Sequence, residues 1–211
     1  MRSVNSSFSP VSPDEPPSKQ AILREALRLF VRDGLCETSL RDIANATGYS
    51  NTVLYKFFES KDALAIHLFE RCYGELVRGV AQALSPGHSF QEDLEALVEF
   101  YVRFLDKSLD SVLYVHENLR LYWPHVDEKT RALPLVGLLA DWIGKGKSEG
   151  VIDPEGTTSL LVTLTIGFLG QFARMLYFRE CDPPAIQWQD EIKDLLLRAL
   201  VQKGIEKRDG Q

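Results

Sequence analysis

Apolar residues recur at spacings of three and four along nearly the whole chain, and the strict alternation of a half-buried strand is missing. The pattern predicts an all-α protein of about nine helices. Ile22, Leu23, Ala26, Leu27 and Phe30 form the stripe of a first helix, while Lys19, Arg24, Arg28 and Arg32 make its wet face. Pro17-Ser18 opens that helix with Ser18 as N-cap, and Gly34 closes it. A second start lies at Thr38-Ser39, with Asp42 three residues beyond Ser39 in the manner of a capping box. Leu40, Ile43 and Ala44 point inward there, and Gly48 ends the helix. Ser50 is placed to cap a third helix, whose apolar side is Val53, Leu54, Phe57 and Phe58. Ser60 caps a fourth, running through Leu64, Leu68, Phe69, Leu76 and Val80 to Ser85-Pro86-Gly87. Further helices are predicted at about 90–105, 111–122, 128–150 (with Pro134 as a kink or break), 155–178 and 185–205.

Two short helices joined by a tight turn containing glycine describe a helix-turn-helix, in which the second helix enters the major groove of DNA. The third helix suits that use. Asn51, Thr52, Tyr55 and Lys56 share one face, opposite its apolar side. Asn and Thr can hydrogen-bond base edges, and Tyr and Lys suit phosphates. Lys61, at the start of the fourth helix, is a second candidate for a phosphate. A polar helix face alone is also what any solvated helix shows, so the joint pattern carries the argument.

Charge sharpens it. The chain carries a net charge of -6 at pH 7, which argues against nucleic acid only if the charge is uniform. Residues 18–61 hold seven Lys/Arg against five Asp/Glu, whereas residues 62–211 hold sixteen against twenty-three. That asymmetry permits a DNA-binding head on an acidic body. The three cysteines, Cys36, Cys72 and Cys181, are far apart and suggest neither a disulfide framework nor a metal site, as expected for a reducing cytoplasm. No cofactor is expected. Residues 1–17, rich in Ser and Pro, are expected to form a disordered tail.

The spacing Ile43-Ala44, Gly48, Ser50, Leu54-Tyr55, Phe58, Lys61 and Leu64 resembles the signature of TetR-family transcriptional regulators. Ala26, Leu29-Phe30, Gly34 and Thr38-Ser39 extend the resemblance through the preceding helix. Thr52 stands where that family often has Gly or Ala, and Tyr49 where Val is common, which leaves the base preference open. The resemblance implies DNA contacts at Thr38 or Ser39, Arg41, Ser50, Asn51, Thr52, Tyr55, Lys56 and Lys61. It implies a head at 18–63 and a regulatory and dimerisation body at 64–211. It further implies a homodimer formed through the last two helices (about 155–178 and 185–205). The function expected is that of a cytoplasmic repressor released from palindromic operator DNA by a small effector.

Two other readings compete with that one. The stretch from Thr157 to Ala173 is seventeen residues without a charge, close to a membrane span, and a membrane-attached adaptor would use Thr157–Phe178 as its anchor. Gln171 and Arg174 interrupt its end and no basic loop flanks it, which favours a buried helix and no membrane. An all-helical enzyme would need a catalytic constellation. The four scattered histidines, His67, His88, His116 and His125, offer none, and no catalytic residue is expected. Aromatics on most body helices suggest a pocket for an apolar or aromatic effector. The candidates are Tyr101, Phe104, Tyr114, His116, Tyr122, Trp123, Trp142, Phe168 and Phe172, any one of which could instead be core.

Overall fold

The computed structural model describes residues 11–201 of the chain. Those residues form eight α-helices: α1 (Pro17–Asp33), α2 (Leu40–Thr47), α3 (Asn51–Phe57), α4 (Lys61–Ala83), α5 (Phe90–Tyr122), α6 (Leu135–Ser148), α7 (Thr158–Tyr177) and α8 (Gln189–Leu200). A single helical turn at Glu128–Arg131 and two 3-10 turns accompany them, and no strand occurs among the described residues. The fold class is therefore the expected one, with eight full helices rather than nine.

The difference in count arises in α5. Residues 90–105 and 111–122, expected as two helices, are one 33-residue helix whose only non-helical residue is Ser108 (φ -150°, ψ 45°). Leu105 and Val112, seven residues apart and both buried, keep the apolar stripe in phase across the bend. The expected break at Pro134 is complete. Proline lacks the N–H that a helix interior needs, so Pro134 sits at the N-cap of α6. The residues before it make only the turn Glu128–Arg131, capped by Asp127, which accepts the Thr130 N–H at 2.7 Å.

Two compact units partition the chain. One holds Met1–Arg78 with Lys107–Leu133, the other Gly79–Asp106 with Pro134–Gln211. This partition does not follow the expected boundary at residue 63, for a visible reason. Tyr114 of α5 stacks on Phe30 of α1 (centroids 5.9 Å apart) and donates its hydroxyl to the Ala65 carbonyl of α4 at 3.0 Å. Residues 107–133 thus pack with the head.

The first unit has its core at Ile22, Leu23, Ala26, Ile43, Leu54, Leu64, Leu68 and Phe69. Of the expected tail, residues 1–10 and the disorder assigned to them lie outside the described residues. Residues 11–16 are ordered: Val11 is buried, Glu15 pairs with Lys19 at 2.9 Å, and Gln20 donates to the Pro13 and Glu15 carbonyls. α1 begins at Pro17 with Pro16 before it and no side-chain cap, so Ser18 lies inside the helix rather than capping it.

The second unit packs the first half of α5 with α6, α7 and α8 around Leu97, Val98, Tyr101, Phe104, Ile143, Leu169, Ile192 and Leu196. Gly79 marks a close approach: a Cβ there would stand 2.0 Å from the Phe100 ring. α7 is long and apolar enough to cross a membrane by length and composition, with 39% of that window buried inside the protein. α8 ends at Leu200, so the last residues of the expected final helix, through 205, lie outside the described residues.

Candidate nucleic-acid interface

The head is held by short-range devices. The Ser39 hydroxyl accepts the Asp42 N–H at 3.2 Å, and the Asp42 carboxylate accepts the Ser39 N–H at 2.9 Å, which completes the expected capping box. Those hydrogen bonds, first that from the Ser39 hydroxyl and then that from its backbone N–H, lower the Asp42 pKa from its ordinary value. Gly48 adopts φ 73°, the left-handed conformation that stops α2 without Cβ strain. The chain turns through Tyr49 and Ser50 into α3. Ser50 occupies the N-cap but makes no side-chain cap hydrogen bond, contrary to expectation. Ser60 does cap α4, accepting the Ala63 N–H at 3.0 Å.

Leu54 anchors α3, being fully buried. Phe58 follows it into the core, while Val53 and Phe57 are half-buried. Phe58 is wedged between the Lys19 ammonium, 5.6 Å from its ring, and the His67 imidazole, 5.4 Å away. Burial lowers the His67 pKa, and the nearby Lys19 and Arg71 charges lower it further, opposed by Glu15.

With one face pinned, α3 leaves the other in water. Asn51, Thr52, Tyr55 (57% exposed) and Lys56 all stand on it, and Ser39, Arg41 and Ser50 are exposed nearby in the chain. Tyr49, outside the expected set, is also exposed in the turn just before Ser50. Its only signal in the sequence was the replacement of the usual Val.

Two expected contacts are placed differently. Thr38 is only 2% exposed, and its hydroxyl donates to the Leu29 and Gly34 carbonyls (3.3 and 2.9 Å), so it braces the α1–α2 corner and is withdrawn from the contact set. Lys61 is half-buried, and its ammonium donates to the Leu35 carbonyl at 2.9 Å.

The nine aromatic candidates for an effector site do not form one lining within either unit. Tyr114, His116, Tyr122 and Trp123 belong to the first unit, the other five to the second. In the first, Phe69 and Tyr73 gather the rings: Tyr122 lies 5.9 Å from Phe69 and 6.4 Å from Tyr114, and Trp123 meets Tyr73 edge-on at 5.3 Å. His116 is half-buried. Burial pushes the Tyr122 pKa up to about 12, against the lowering effect of a side-chain hydrogen bond with Tyr114.

In the second unit four of the five rings are core. Tyr101 donates to the Leu169 carbonyl at 2.8 Å. Trp142 stacks on Phe90 at 4.8 Å and donates to the Phe90 carbonyl. Phe104 stacks on Phe100, Phe172 meets Trp188 edge-on, and Phe168 is half-buried. A groove in this unit lined by His88, Glu92, Glu95, Glu99, Gln189 and Lys193 includes none of the nine.

Residues 22–68 match the family model described as "Bacterial regulatory proteins, tetR family". The transcriptional activator FasR of Mycolicibacterium smegmatis is 31% identical over 105 residues, covering 50% of this chain. The chain spans about half the length of FasR, 48%. The transcriptional repressor KstR2 of Rhodococcus jostii is 28% identical over 142 residues, covering 64% of this chain and 69% of KstR2. The fold is shared along almost the whole chain with the ketosteroid transcriptional regulator KstR2 of Mycobacterium tuberculosis. That superposition has a TM-score of 0.78 at 18% identity and covers 92% of this chain and 100% of the other.

Proposed function

Because the chain belongs to the TetR family of DNA-binding transcriptional regulators, we propose that it is a cytoplasmic homodimeric repressor, released from palindromic operator DNA by a small, mainly apolar effector. The observation that carries the DNA-binding part is the exposed polar face of α3 on a frame that does not use it for folding. Asn51 and Thr52 read base edges. Ser39, Arg41, Ser50, Tyr55 and Lys56 hold the backbone.

The dimer part rests on α7 and α8. Leu160 is 67% exposed, and Leu164, Phe178 and Leu195 are also exposed. An apolar face of that kind is costly in water and cheap at a two-fold interface. The effector part rests on the aromatic cluster that Phe69, Tyr73, Tyr114, Tyr122 and Trp123 form in the first unit, which suits a hydrophobic molecule. The word ketosteroid in the name of a protein sharing this fold describes such a molecule. KstR2 of Rhodococcus jostii is a repressor, the sign proposed for this chain, and FasR is an activator.

The test is a duplex selected from a random library by the full chain, followed by nuclease footprinting and light scattering. A dimer protecting two symmetric half-sites spaced by helical turns is expected. A monomer, or binding indifferent to sequence, overturns the proposal. Loss of the footprint on adding a hydrophobic ligand found by thermal shift identifies the effector class.

A further inference from the structure

We propose that Tyr114, on α5, is a positioning residue of the DNA-reading head, gripping both ends of the frame that carries α2 and α3. The inference rests on the DNA-binding reading above and adds to it a residue that never touches DNA.

α2 and α3 are strung between two points of the chain. Phe30, in the last turn of α1, stands on the entry side, and Ala65, in the second turn of α4, stands on the exit side. Tyr114 meets both. Its ring stacks on Phe30 with centroids 5.9 Å apart and planes 14° from parallel. Its hydroxyl donates to the Ala65 carbonyl at 3.0 Å, across 49 residues of sequence. One side chain therefore fixes the end of α1 against the start of α4, and with them the angle at which α3 is presented.

The grip is stiff. Tyr114 is 1% exposed, so water does not compete for its hydroxyl. Burial raises its pKa, so the hydroxyl keeps the proton it donates. Tyr122 tilts against the Tyr114 ring at 6.4 Å and is itself held by Phe69 of α4 at 5.9 Å. A carbonyl inside a helix already serves the N–H four residues on, so Ala65 does not need the phenol for α4 to form. The bond acts on where α4 sits.

Tyr114→Phe keeps the ring and deletes that bond. The variant should bind the library-selected duplex about fivefold more weakly. Its affinity for a scrambled duplex and both salt slopes should be unchanged, because no charge near DNA is altered. In the free chain, the amides of α2 and α3 should exchange with solvent faster than in wild type, while those of α7 keep their protection. An unchanged preference for the selected duplex overturns the proposal, as do equal losses on both duplexes. So does exchange in α2 and α3 at the wild-type rate, or exchange that rises equally in α7, the mark of a residue that only stabilises the whole chain. A wild-type chain that prefers no duplex sinks the DNA-binding reading instead, and hydrogen exchange in Tyr114→Phe then decides the frame.

Discussion

α3 and α7 expose opposite things. α3 has seven residues, one of them fully buried, and turns Asn51, Thr52, Tyr55 and Lys56 to water. α7 has twenty residues, buries Val162, Thr165, Leu169, Phe172, Ala173 and Leu176, and still turns Leu160 and Leu164 outward. The polar face of α3 costs nothing in water, so its meaning comes from the frame that fixes it. The apolar face of α7 is costly in water, so its meaning comes from the cost. One surface suits a hydrated, charged partner and the other a second apolar surface. In the proposed dimer they are linked, because two short reading helices bind one operator tightly only when something holds both chains together.

Breaking the apolar side should have the largest effect. Leu160→Asp with Leu164→Asp should yield monomers by light scattering and weaken operator binding by about a hundredfold or more, through lost avidity. An intact dimer in that variant would remove α7 from the interface. Leu54→Ala attacks the frame instead. It deletes the one fully buried side chain of α3 and should destabilise the protein by about 3 kcal/mol in a urea melt. It should also abolish the footprint while leaving the dimer intact. Loss of the dimer in Leu54→Ala would mean that the two surfaces are not separable in this way.

Much of α2 and α3 was legible in the sequence because their signals are local. Ser39 with Asp42, Gly48 with its left-handed turn, and Leu54 four residues before Phe58 each act within one or two helical turns. The misplaced residues depend on distant partners. Thr38 looked like a helix-start contact, but Leu29, nine residues earlier, takes its hydroxyl. The partner of Lys61 lies 26 residues away. The second-unit aromatics mislead for a related reason: Trp142 and Tyr101 read alike in sequence whether they face a cavity or a core. The carbonyls that satisfy them, Phe90 and Leu169, are 52 and 68 residues distant. The bend in α5 was visible near residue 108, but its continuation was not, since one non-helical residue does not interrupt the apolar stripe.

Smaller effects sharpen the polar side. Asn51→Ala should cost about 1–3 kcal/mol on the selected duplex and relax preference at one base position. Lys56→Ala should weaken binding evenly across sequences and lower the salt slope by about 0.9 per subunit. If the two variants exchange these signatures, the base-reading and backbone roles are assigned the wrong way round.

The smallest effect tests the frame through pH. Ser39→Ala removes the N-cap of α2 and should cost about 1 kcal/mol of stability at pH 7. Part of that cap is the bond from Ser39 to the ionised Asp42 carboxylate, whose pKa is lowered in the folded protein. A lowered folded pKa gives stability that is present above the unfolded value and lost as pH falls through the folded one. The stability gap between wild type and Ser39→Ala should therefore be full at neutral pH and narrow as the solution is acidified through the carboxylate range. Parallel urea melts of the two proteins at several pH values would show it. A gap independent of pH would mean that the Ser39 hydroxyl caps α2 through the Asp42 N–H alone, its own bond to the carboxylate contributing nothing.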